Sequence, residues 1–239
     1  MSLNDILDNL FPTGHAVAVN NKVITGEATT AQGTVAVLGT TDAAAIDHAM
    51  ALALSAFVLD TIEQHPGRPL VFLVDTSGQA LSRSQELLCL NGSLAHLAVC
   101  VDLARRQGHA SLSLVTANAV SGGFLSFGLM ADRAYALADA QVRVMDLRAM
   151  ARVTKIAHER LIELAADSPI FAPGAVSYVR MGAIEAIWPA PSASLLEEAL
   201  AAERGAPASD QRQSSGLERG GRQLAAGITK TVQNAACGA

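Results

Sequence analysis

Residues 71–86, VFLVDTSGQALSRSQE, begin as a buried strand and break off at an acidic residue. Leu70 to Val74 is apolar without alternation, so both faces of the strand need cover, as in a mainly parallel sheet. Asp75, Thr76, Ser77 and Gly78 then read as a tight turn. The polar residues beyond Gln79 open a helix expected over about Ser84 to Arg106. In that helix Leu87, Leu90, Leu94, Leu97 and Val101 recur at helical spacing and make one apolar face, and Gly108 stops it. A second unit of the same kind follows. SLSLV, from Ser111 to Val115, is a strand, ANAVSGG is its turn, and GFLSFGLMA is a short helix. In a parallel sheet the two turns lie at one end, which is where α/β proteins place ligands.

The rest of the chain fits around these two units. HAVAVNNKVITGEATTAQGTVAVLGTT, from His15 to Thr41, reads as short strands with turns at Asn20-Asn21 and Gly33. Asp42 is the expected cap of a helix running to Gln64, and HPGRP ends it. AYAL and QVRV are two further short strands. Two helices are expected from there to Trp188, broken apart by Pro169 and Pro173, and another over Ala190 to Glu203. Residues 205–221 are a loop by composition, and 222–234 a last helix. The expectation is one α/β domain over residues 1–239, a mainly parallel sheet with surrounding helices.

Composition excludes several function classes. The net charge of −5 and a pI near 5.6 argue against a nucleic-acid partner. No apolar run reaches the ~18 residues of a membrane span, and the N-terminus, MSLNDILDNLF, lacks the positive region of a signal peptide. Of the three cysteines, Cys89 and Cys100 fall in one helical pattern, about 16 Å apart at the α-helical rise, too far for a disulfide. Reduced thiols and a cytoplasmic location follow as expectations.

The titratable residues offer little chemistry. Asp75 reads as a turn or cap residue. Ser77 and Ser121 lie outside G-x-S-x-G and have no histidine nearby in sequence. His96 falls on the apolar side of its helix and reads as a packed histidine. His15, His48, His65, His109 and His158 show no metal-ligand spacing, and no phosphate-binding glycine loop is present. Arg143, Arg148, Arg152 and Lys155 form a basic cluster, read as a solvated face ahead of a site for a phosphate-bearing arm. Gly122-Gly123 remains, directly after a strand. It serves close helix–strand packing, or it bares N–H groups to a negatively charged oxygen, and both uses need the missing Cβ.

Taken in order, VDTSGQ, Gln85-Glu86, Gly92, Gly122-Gly123 and ADRAYALADAQVRVM resemble the carboxyltransferase branch of the crotonase superfamily. In that branch a D-T-P-G-F turn precedes Q-E and a glycine, and a G-G pair precedes an alanine–aspartate segment. Asp75, Thr76 and Gly78 match the turn. Ala131-Asp132, with Tyr135-Ala136, match the later segment. The likeness runs to Ile187-Trp188 and is greatest to the gamma subunits of malonate decarboxylases.

That resemblance implies a crotonase-like fold and a subunit that acts with a beta subunit. The reaction would convert malonyl thioester on an acyl carrier protein to acetyl thioester and CO2. An acyl-carrier transferase subunit would complete the set of partners. No cofactor would bind directly, and the CoA-like arm of the carrier would bring the substrate. Loss of CO2 leaves an enolate, so the main need is for two donors aimed at the thioester oxygen. Gly122 or Gly123 would supply one, and Gly78 or Gln79 the other. Two departures matter: Ser77 and Gln79 replace the proline and phenylalanine of the family turn, which leans away from biotin, and only one crotonase-like unit is present. A biotin-dependent carboxyltransferase subunit and a non-catalytic scaffold subunit are the alternatives.

Overall fold

A computed structural model describes residues 1–167, 172–203 and 210–237. The chain opens with α1 (Leu3–Leu10), started by a capping box between Ser2 and Asp5. A meander of β1 (His15–Asn20), β2 (Val23–Thr30) and β3 (Gly33–Thr40) follows, with the first turn at Asn21 and Lys22. Next come β4 (Ala44–Ile46), α2 (His48–Gln64), β5 (Leu70–Gln79), α3 (Arg83–Leu87) and α4 (Leu90–Arg106). The second unit is β6 (Ser111–Val120) and α5 (Ser121–Ser126), then β7 (Arg133–Leu137) and β8 (Gln141–Arg143). The remainder is α6 (Leu147–Thr154), α7 (His158–Asp167), α8 (Ala175–Arg180), β9 (Ala186–Trp188), α9 (Ala193–Glu203), α10 (Arg212–Glu218) and α11 (Ala225–Cys237).

The sheet runs β1-β2-β3-β5-β6-β7-β9, antiparallel through β3 and parallel beyond it. One apolar cluster packs α2, α4 and α5 on one face, around Leu54, Phe72, Leu97, Phe124 and Phe127. The other packs α1 and α9 on the opposite face, around Leu7, Phe11, Leu73, Trp188 and Leu200. Leu70–Val74 is buried on both faces, as its unbroken apolar run requires.

The opening stretch behaves differently from a strand that stops at Asp75. β5 continues to Gln79 and changes neighbours on the way. Its first half lies between β3 and β6, and its second half pairs with β4 at Ala44, Ala45 and Ile46. β6 does the same, moving from β7 to β8. The β5–β6 register shifts between Val74 and Thr76, and Asp75 bridges that break. One carboxylate oxygen accepts the Asn118 backbone and side-chain N–H groups, both at 3.0 Å, and the other accepts the Ala43 N–H at 2.9 Å. Asp75 is therefore a clamp within a continuing strand, not the turn or cap residue expected from the sequence, because β5 runs on past it to Gln79.

Several boundaries differ from those the sequence predicts. Asp42 is not a helix cap. It and Ala43 have positive φ and turn the chain into β4, and Asp47 caps α2 by accepting the Met50 N–H at 2.8 Å. The long helix from Ser84 is broken at Cys89, whose φ of 56° starts α4 afresh. Leu87 is left outside the apolar face and exposed. His96 is exposed on α4 rather than packed. Among the described residues of 147–188, three helices and a strand stand where two helices were expected. Pro169 lies outside the described residues.

The expected loop at 205–221 contains α10. That helix exists because it docks: at Gly182 an added Cβ would lie 2.4 Å from the Arg212 carbonyl oxygen and from the Gly216 nitrogen. Arg219 also donates to the carbonyls of Val179, Ile184 and Glu185 and pairs with the Glu185 carboxylate. Residues 204–209 lie outside the described part. Cys89, Cys100 and Cys237 are free, and Cys237 ends α11. Among the described residues no helix is long and apolar enough to cross a membrane, and no cluster of side chains could hold a metal ion.

Candidate active site

The partner exchange of β5 and β6 carries their C-terminal ends together. β6 runs without a loop into α5, and Ser121 makes the junction with a φ of 50°, a left-handed conformation unusual for a non-glycine residue. The predicted residues meet here. A Cβ on Gly123 would lie 2.7 Å from Thr76 Oγ1 and 2.8 Å from the Gly78 carbonyl carbon, so the start of α5 rests on the β5 backbone. Gly78 has a φ of 106°, and a Cβ there would meet the Val120 carbonyl oxygen at 3.3 Å. Gly123 is buried, whereas Gly122 and Gln79 are half-buried.

The four candidates play separate parts. The Gly122 N–H donates to the side-chain oxygen of Gln79, Gln79 Oε1, at 3.1 Å, and the gap between those residues in sequence is 43. The Gly78 N–H donates to Thr76 Oγ1 at 3.0 Å, and that hydroxyl in turn donates to the Ala44 carbonyl at 2.7 Å. Thr76 is fully buried, so the Gly78 donor is satisfied inside the fold. The Ala80 N–H is held by the Ile46 carbonyl on the β4 side. Successive N–H groups of a strand face opposite edges, which turns the Gln79 N–H away from β4 and towards α5.

Neither candidate serine is built as a nucleophile. Among the described residues no histidine hydrogen-bonds Ser77 or Ser121. The serine–histidine contact present is Ser93 Oγ to His48 Nδ1, 2.5 Å, between α4 and the start of α2. The Gln85 side chain accepts the His48 backbone N–H at 2.8 Å, so the Q-E segment fastens α3 to α2. Sequence spacing gave no sign of the Ser93–His48 contact, because 45 residues separate its members. Arg143 lies in register with Val120, one residue before the junction. Arg148, Arg152 and Lys155 lie exposed on and just after α6, whose cap Asp146 is held below the usual carboxylate range by the Ala149 N–H.

The sequence model of the malonate decarboxylase gamma subunit matches residues 40–236. The chain belongs to the malonate decarboxylase gamma-subunit family. The match spans β4, both partner-changing strands and the Gly122-Gly123 junction. A solved Pseudomonas malonate decarboxylase hetero-tetramer in complex with coenzyme A contains a chain with the same fold. Its TM-score is 0.82 at 24% identity, covering 95% of this chain and 97% of that one. A chain of the Pseudomonas MdcD-MdcE hetero-dimer matches with a TM-score of 0.79 at 24% identity, covering 95% and 96%. The transcarboxylase 12S core matches at 0.72 and 18% identity, over 85% of this chain and 42% of that one. The fold is thus the crotonase-like fold of carboxyltransferases. The malonyl-S-ACP:biotin-protein carboxyltransferase MADD of Malonomonas rubra is 34% identical over 121 residues, 49% of this chain. The chain spans 41% of the length of that curated relative.

Proposed function

We propose that this chain is the gamma subunit of a malonate decarboxylase. With a beta subunit, it converts malonyl thioester on an acyl carrier protein to acetyl thioester and CO2. One observation carries the chemical part of this reading: an amide carbonyl oxygen, that of Gln79, already sits on the Gly122 N–H. The position accepts a carbonyl oxygen, and a thioester oxygen offers the same kind of acceptor. The Gln79 N–H, facing the same side, is the second donor. Gly123 keeps α5 seated on β5 so that the two donors converge, and the Gly78 N–H stays with Thr76.

Decarboxylation begins when the carboxylate–carbon bond lies perpendicular to the thioester plane. The electron pair of that bond then flows into the carbonyl, and the oxygen takes up negative charge as CO2 leaves. Donors fixed by a strand end and a helix start need no reorganisation as the charge develops, which is where such donors gain most. A proton then reaches the enolate carbon, and the acetyl thioester departs on its carrier.

The chain acts as one crotonase-like unit, and its partner completes the site. The carrier protein's CoA-like arm brings the acyl group, an acyl-carrier transferase subunit loads the carrier, and no cofactor is held by this chain itself. The three free thiols fit a reducing, cytoplasmic setting.

The likeness to MADD favours a second reading, transfer of the carboxylate to a biotin protein. Gln79 at the position of the family's phenylalanine speaks for direct release. The two readings separate in a CO2 assay on the purified gamma–beta complex with malonyl thioester. Release in the absence of any biotinylated protein, unaffected by avidin, is the expected result. Release that requires a biotin protein would make the chain a transferase subunit.

A further inference from the structure

The donor that the proposed reaction needs is closed by the chain's own side chain. Gln79 Oε1 accepts the Gly122 N–H at 3.1 Å, and at Gly122 an added Cβ would meet the same oxygen at 3.1 Å and the amide carbon at 3.5 Å. The Gln79 amide therefore lies over this donor, filling the space an arriving acyl oxygen would use. Nothing in the fold requires the contact. Gln79 is half-buried, its backbone is held by pairing with Ile46, and its side chain is long and unbranched. The neighbouring donor at Gly78 is closed by the buried Thr76 hydroxyl, which also bonds Ala44 and is locked in the core. One closure is part of the fold, and the other rests on a side chain free to rotate.

We propose that Gln79 is a displaceable gate and a positioning residue: its amide oxygen satisfies the Gly122 N–H in the ligand-free site and gives way to the thioester oxygen. The proposal rests on the decarboxylase reading and assigns the side chain a role apart from the residue's backbone N–H. The gate has two effects. It satisfies a half-buried donor that would otherwise hold water in the path of the acyl group. It also sets a threshold for entry, because a ligand must offer an acceptor good enough to displace an amide oxygen. A thioester oxygen meets that threshold with the help of contacts along its carrier arm, and a CoA arm lacking an acyl group leaves the gate shut.

The test uses the gamma–beta complex carrying Gln79→Ala or Gln79→Glu. A neutral hydrogen bond has a modest net worth, so opening the gate with alanine should lower KM for malonyl-CoA about threefold to tenfold, with kcat/KM rising to match. The affinity for free CoA should not change. Glutamate at this position accepts more strongly and repels the malonyl carboxylate, so Gln79→Glu should raise KM. Opposite shifts from the two variants are the signature of a gate. A merely structural side chain would make both variants worse, and that result overturns the proposal. So does a raised KM in Gln79→Ala, which would mean that the amide holds the substrate.

Hydrogen exchange at the Gly122 amide of the ligand-free complex tests the bond without any substrate. Faster exchange in Gln79→Ala is expected, and an unchanged rate overturns the gate whatever the kinetics show. Faster exchange in a complex that turns over no malonyl thioester would instead overturn the decarboxylase reading, and with it the gate's role towards thioesters.

Discussion

The chain alone is expected to release no CO2 from malonyl thioester above the enzyme-free background, and adding the beta subunit is expected to switch release on. Gly122 and Gln79 are half-buried. Further along the chain from Gln79, Leu81 is 83% exposed, Leu87 73% and Leu88 55%. Covering a leucine contributes roughly 1.5–3 kcal/mol, so three exposed within residues 81–88 favour an apolar cover from another chain. On the proposed reading, water would reach the acyl oxygen without that cover and weaken every donor aimed at it. The measurement is CO2 evolved from malonyl-CoA by each subunit alone and by the mixture. Robust release by the purified gamma chain alone would contradict the account.

The two adjacent glycines should respond in opposite ways. Gly123→Val is expected to cost the fold. Its Cβ would fall 2.8 Å from the Gly78 carbonyl carbon and 2.9 Å from its Cα, and neither atom can move without unseating β5. Overpacking of this kind costs about 1–3 kcal/mol or more, so the thermal midpoint and complex formation should fall together. Gly122→Ala should fold. Its φ is ordinary, and the nearest atoms belong to the movable Gln79 amide and, at 3.9 Å, to Leu94 Cδ1. The new methyl group occupies the approach to the donor, and losing one such donor typically lowers kcat by ~10²–10³. Activity, thermal midpoint and assembly measured on one preparation of each variant decide the matter. A stable Gly122→Ala complex with near-normal turnover would remove the N–H from the mechanism.

Glycine chemistry made part of the geometry of the candidate site legible in advance. Two glycines after an apolar strand, and one after Asp-Thr-Ser, mark places where backbone must come close, and Gly123 and Gly78 do meet there. The unbroken apolar run of Leu70–Val74 likewise announced a strand covered on both faces. What stayed hidden depends on residues distant in sequence. β5 reads as ending at Asp75 because no local signal shows that β4 will replace β3 beside it. The same holds for the Asp75 carboxylate reaching Ala43 and Asn118, and for the Gln79 amide on Gly122. Cys89 in a left-handed conformation has no composition signal, so two helices read as one. α10 was hidden because its glycine and serines mark a loop, and its stability comes from docking on Gly182 and from Arg219.

The ends of β5 and β6 are proposed to hold the thioester oxygen on backbone donors. This arrangement is tested most directly by the structure of the gamma–beta complex with a malonyl thioester analogue that cannot lose its carboxylate. The thioester oxygen is expected within hydrogen-bond distance of the Gly122 nitrogen, about 2.7–3.2 Å, with the Gln79 side chain swung away. A thioester oxygen bound elsewhere, with Gln79 Oε1 still on the Gly122 N–H, would contradict that arrangement.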